Sequence, residues 1–123
     1  MKILQSLAPF AYFLLRVVSG LLFACHGAQK LLGVLGGQQP PAGSLPWFAG
    51  IIELVGGPLI ALGVYTSPVA FLASGEMAVA YFRAHAPRGF WPVLNAGELA
   101  ALYCFLFLYI STRGGGRWGL TKN

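Results

Sequence analysis

From Pro9 to Leu32 the chain offers water almost nothing to hold, with Arg16 and Lys30 the only charges in the stretch. Crossing the hydrocarbon core of a bilayer takes a helix of about 20 apolar residues, and this run is long enough. Three further apolar runs follow: Trp47 to Val64, Val69 to about Phe82, and Val93 to Ser111. Composition points the same way, because 57% of the 123 residues are hydrophobic and only 9% are charged, against about 25% charged in a typical soluble domain. A soluble globular domain is thereby excluded, and so is a disordered chain, which needs far more polarity to stay unfolded in water. Spans of this size with short connections use up the whole length. The expected fold is an all-α integral membrane four-helix bundle, a single transmembrane domain over 1–123 with helices at about 9–32, 47–64, 68–84 and 93–111.

The breaks between runs are written in Gly and Pro. Residues 33–46 carry both and no charge, which makes them the longest loop. Gly63 ends the second run, and Thr66-Ser67-Pro68 reads as a polar cap with Pro in the next first turn. The third run is short for a span and reaches full length only if Arg83 and His85 extend towards the interface. Lys2 followed by an apolar stretch has the outline of an export signal, but Arg16 interrupts the apolar core, so the segment reads as a retained first helix. Small residues four apart, Gly57/Ala61, Gly97/Ala101 and Ala96/Ala100, favour close helix packing in lipid.

The net charge of +5 does not indicate nucleic acid, since the basic residues sit at chain ends or flank apolar runs. Lys2, Arg113, Arg117 and Lys122 fall on one side of a four-span topology, and Lys30, Arg83 and Arg88 on the other. The larger group places both termini in the cytoplasm. The two cysteines, Cys25 and Cys104, form neither a CxxC pair nor a metal spacing, and read as structural thiols.

Every acid the chain owns, Glu53, Glu76 and Glu98, lies inside an apolar run. A carboxylate in hydrocarbon costs several kcal/mol unless paired or protonated, so such groups turn towards the bundle interior. At 1.5 Å per residue, Glu53, Glu98 and His26 lie about 8–9 Å from the helix ends facing loops 33–46 and 85–92, and Glu76 about 10–13 Å. All four therefore share one leaflet, with Glu53 and Glu98 closest in depth. Trp47, Phe90 and Trp91 mark its boundary. Steps of three and four align Arg16, Ser19, Phe23, His26 and Lys30 on the first helix, Glu76, Ala80 and Arg83 on the third, and Asn95 with Glu98 on the fourth. If these faces converge, Arg16, His26, Lys30, Glu53, Glu76, Arg83, Asn95 and Glu98 form an intramembrane polar pocket able to bind a small headgroup or relay protons. The plainer alternative is a set of structural ion pairs fixing helix register.

The ordered set LLRVVSGLLFACHGAQKLLG, WFAGIIELVGGPLIALG, GEMAVAYFRAHAPRGFWP, NAGELAALY and the terminal GRW resembles the DoxX family of small bacterial membrane proteins over nearly the whole chain. The resemblance implies a multi-pass, four-helix protein of the bacterial inner membrane. Some relatives are linked to thiosulfate oxidation with quinone as acceptor, others to membrane oxidoreductase complexes handling oxidative or thiol stress. On that basis the chain is expected to be a membrane subunit of an oxidoreductase system, its pocket taking a quinone headgroup or passing protons. No catalytic residue or metal ligand is assigned, and the redox chemistry needs a soluble partner enzyme or the quinone itself. A non-catalytic anchor or scaffold, and a small-solute or proton transporter acting as a homo-oligomer, are the alternatives.

Overall fold

The computed structural model describes residues 1–123 and is helical throughout, without a strand. A short α1 (Lys2–Ser6) leads into α2 (Ala8–Leu32), followed by α3 (Leu45–Leu62), α4 (Thr66–Ala80), α5 (Pro92–Asn95) and α6 (Glu98–Arg113). Two of these, α2 with 25 residues and α3 with 18, are long and apolar enough to cross a membrane. At 15 and 16 residues, α4 and α6 are shorter.

Two differences from the expected helix bounds lie in the second half of the chain. The third run does not stay α-helical to residue 84. It loosens into a π-helical turn, Tyr81–His85, and then a 3₁₀ turn, Ala86–Arg88, where Pro87 has no N–H to continue the ladder. The fourth run, expected to be continuous over 93–111, is broken between α5 and α6. Asn95 Oδ1 accepts the Gly97 N–H at 2.8 Å, a local turn that competes with helix, and Ala96 is left-handed at φ 63°. Gly97 then has to be glycine, because a Cβ there would lie 2.7 Å from Asn95 Oδ1 and 2.8 Å from His85 Cβ. The pairs Gly97/Ala101 and Ala96/Ala100 consequently straddle a break and form no packing stripe.

The helices associate as two tight pairs, α2 with α3 and α4 with α6, and α3 meets α4 over a smaller area. Backbone closeness holds the first pair. A Cβ on Gly20 would sit 2.6 Å from both Gly57 O and Ala61 N, so the α2–α3 seam exists only because Gly20 has no side chain. Gly57 and Ala61 do form the other side of this seam; on α2 it is made by Gly20 and Ala24, also four apart, and by Gly27. Larger groups span the wider gap to α6. The Phe23 ring stands 4.6 Å from Phe107 and 5.7 Å from Tyr103, and Ser74 Oγ donates to Cys104 O at 2.7 Å between α4 and α6. Leu14, Leu21, Val55, Phe71, Leu102 and Phe105 remain exposed around the outside, an apolar belt far larger than water tolerates.

The α3–α4 turn runs through Gly63 and Tyr65, both left-handed. The expected Thr66 side-chain cap does not form. Instead the tail after α6 folds back beneath the turn: Thr66 N donates to Asn123 O at 2.7 Å, Thr121 N to Gly63 O at 3.0 Å and Leu120 N to Leu62 O at 3.3 Å.

Candidate functional site

Between the two helix pairs lies a cavity of about 930 Å³, lined by 23 residues of which 14 are hydrophobic. Its polar wall is concentrated where α2, α3 and α4 meet. Glu53 is fully buried, and its Oε2 accepts from Lys30 Nζ at 2.5 Å. Placing Lys30 opposite it requires α2 and α3 to close up, which Gly27 permits by having no Cβ to strike the α3 backbone at Glu53 and Leu54. From α4, Glu76 brings its carboxyl up to that of Glu53. Glu53 Oε1 and both Glu76 oxygens are buried without a donor. His26 lines the same cavity and stands edge-on to Tyr103 at 6.2 Å. Arg83 lines it from the rim and is otherwise exposed.

Five of the eight residues singled out from sequence therefore share this wall: His26, Lys30, Glu53, Glu76 and Arg83. Three do not. Arg16 is 1% exposed and lies at the opposite end of α3, where Nη1 donates to Ile60 O and Ala61 O, both at 2.7 Å, and Nη2 reaches Trp118 O at 3.4 Å. Those carbonyls lie in the last turn of α3, where regular intrahelical donors run out and Ile60 O has only the Gly63 N–H of the cap, at 3.1 Å, so Arg16 serves as a helix-end clamp. Asn95 is buried at the end of α5, with Nδ2 donating to Gly89 O at 2.9 Å and to Tyr81 Oη at 3.1 Å. Glu98 is exposed in the first turn of α6, where a negative charge suits the helix dipole. The carboxylates that approach one another are thus Glu53 and Glu76, not Glu53 and Glu98 as depth suggested. Depth along a helix carries no information about facing, and the break at Ala96–Gly97 resets the facing of Glu98.

Sequence reasoning also missed two lining side chains, Tyr103 and His85. Tyr103 could have been read from its step of four to the buried Phe107. His85 depends on the π-helical turn, and its Nδ1 lies 3.1 Å from Asn95 O, which requires the Nδ1–H tautomer because a carbonyl only accepts. Chemically, the site combines donors (Lys30, His26, Tyr103) with a facing pair of carboxyl groups beneath apolar walls. It can bind and orient an amphiphile and move a proton between carboxyl oxygens.

Comparison with known proteins finds relatives that match almost the whole chain. An uncharacterized protein of Haemophilus influenzae is 40% identical over 127 residues, covering 98% of this chain and 95% of its own length. An uncharacterized membrane protein of Mycobacterium tuberculosis is 29% identical over 141 residues, covering 98% of this chain and 85% of its own. No solved structure matches. The sequence pattern of the DoxX family matches residues 11–86, a stretch that holds the α2–α3 seam and the Lys30, Glu53 and Glu76 cluster, and the chain belongs to the DoxX family of membrane proteins.

Proposed function

We propose that the chain is a four-helix subunit of the bacterial inner membrane, serving an oxidoreductase system and holding the headgroup of a lipid-soluble quinone in its cavity. In this reading α4 and α6 cross the bilayer with α2 and α3, the whole chain is one transmembrane domain, and both termini face the cytoplasm. The observation that carries the proposal is Glu53: fully buried, bound to Lys30 through one oxygen, bare at the other, and facing a second carboxyl. An ion pair kept only for register has no use for Glu76 opposite it, since a buried acid without a donor is costly.

The residues present fit a quinone headgroup. His26, Tyr103 and Lys30 can donate to its oxygens, and Glu53 and Glu76 can take or give protons as its charge changes. When bound, the quinone supplies a two-electron, two-proton acceptor. Electrons reach it from a soluble partner enzyme docked at the membrane surface. The test is mass spectrometry of lipids co-purified with the wild-type and Glu53→Gln proteins, together with quinone reduction in membranes. The expected result is a quinone enriched with the wild type and lost from the variant. Recovery of partner proteins unchanged by the variant, with no quinone in either sample, would leave a scaffold role and overturn the proposal.

A further inference from the structure

We infer that this cavity selects for headgroups that donate hydrogen bonds, a hydroxyl or an ammonium group on an apolar body that leaves the protein sideways between α3 and α4. The inference rests on reading the cavity as a ligand site and adds the chemical class of what enters it. Three carboxyl oxygens, Glu53 Oε1 and both oxygens of Glu76, are buried in the cavity wall and receive no hydrogen bond from outside this pair of carboxyl groups. Lys30 gives one N–H to Glu53 Oε2 and reaches none of these three oxygens. At these oxygens a ligand that offers only lone pairs would set acceptor against acceptor, whereas an O–H or N–H supplies the donor they lack. Sites built to hydrogen-bond a particular group discriminate strongly against analogues without it, because their own buried polar atoms are otherwise left unpaired.

The exit route is set by the walls. Phe48 on α3 and Phe71 and Leu72 on α4 line the cavity and are also exposed on the outer apolar surface, at 51%, 66% and 56%. These side chains therefore face cavity and bilayer together. Gly75, next to Glu76 on the same wall, leaves a gap, since a Cβ there would meet nothing within 4 Å. A chain attached to a headgroup at Glu76 thus leaves into hydrocarbon without crossing a polar surface. For a quinone-type carrier, the reduced form with its two O–H groups is the one held more tightly.

The experiment titrates the full-length protein in lipid nanodiscs with four probes: a decyl benzohydroquinone, the matching decyl benzoquinone, dodecylamine, and dodecyltrimethylammonium, which has the charge without an N–H. We expect the hydroquinone to bind about tenfold more tightly than the quinone, the amine to outbind its quaternary analogue, or both. Tight hydroquinone with weak amine assigns a neutral hydroxyl ligand; the reverse assigns a cation. Glu76→Gln, whose amide brings its own donor, should reduce the preference to about threefold or less. Gly75→Leu, which projects into open space, should block the donor probes without lowering the melting temperature. Glu98→Gln should change nothing. Should Glu76→Gln not fold, the ranking on the wild type and the Gly75→Leu result decide alone. Equal binding of quinone and hydroquinone, with equal binding of the two amines, overturns donor selectivity while leaving the cavity a ligand site. Absence of binding by every probe, or binding indifferent to Gly75→Leu, overturns both readings.

Discussion

Lys30 Nζ lies 2.5 Å from Glu53 Oε2, and Glu53 is fully buried while the lysine side chain is 31% exposed. This asymmetry lets the ammonium keep part of its hydration while neutralising a carboxylate that has none. Removing the lysine leaves the carboxylate alone, so Lys30→Met should destabilise the protein by about 3 kcal/mol. The double variant Lys30→Met/Glu53→Gln should recover most of that loss. Unfolding in mixed micelles measures both. A double variant no more stable than Lys30→Met would show that burial of the charge is not the cause.

Arg16 predicts a different failure. Its guanidinium holds the last carbonyls of α3 and the Trp118 carbonyl together, a fork that one ammonium group cannot reproduce. Arg16→Lys should loosen residues 114–123, and trypsin should cut after Arg117 several-fold faster. An unchanged cleavage rate would mean that the hydrogen bonds of 120–123 to the α3–α4 turn suffice.

At the α2–α3 seam, Gly20→Val should be among the most damaging single changes. The added side chain meets α3 backbone that cannot swing aside, and overpacking of this kind costs about 1–3 kcal/mol or more. Gly75→Ala, by contrast, meets open space and should raise stability slightly through helix propensity. Melting temperatures of the two variants in one detergent should move in opposite directions.

Asn95 should control the loop rather than the ligand. Its side chain makes three hydrogen bonds within residues 81–97. Asn95→Ala should therefore raise amide exchange across that segment while α2 and α3 stay protected, with a loss of about 1–3 kcal/mol. Exchange spreading to α2 would contradict this separation.

Reporter fusions at both ends and within residues 36–44 should place the two termini in the cytoplasm and the loop outside. Termini on opposite faces would remove the four-span arrangement.

Much of this architecture is legible in the sequence, because apolar runs and Gly/Pro breaks act locally. The charge cluster is half legible. Lys30, Glu53 and Glu76 can be brought together by cost alone, since hydrocarbon punishes each of them equally. Arg16 cannot be assigned correctly that way: a buried guanidinium held by carbonyls looks, in sequence, the same as one held by a carboxylate. Glu98 and Asn95 are misplaced for one reason, the turn at Asn95–Gly97, where a side-chain oxygen outcompetes the helix and rotates α6 relative to α5. Gly20 and Ala24 share the spacing of four shown by Gly57 and Ala61, but a seam is a relation between two helices, and spacing along one helix does not say which face meets which.

The unequal seams also make the molecule mechanically uneven. Where backbone lies against backbone, as at Gly20 and Gly57, no side chain is available to flex, so α2 and α3 move as one plate. The α4–α6 plate meets it where α3 approaches α4 and through rings set edge-on or tilted across the gap, Phe23 against Tyr103 and Phe107, and rings slide where interlocked backbones cannot. Any widening of the gap beside Phe48 and Phe71 is then a pivot of one plate about that aromatic bearing, with every helix keeping its shape.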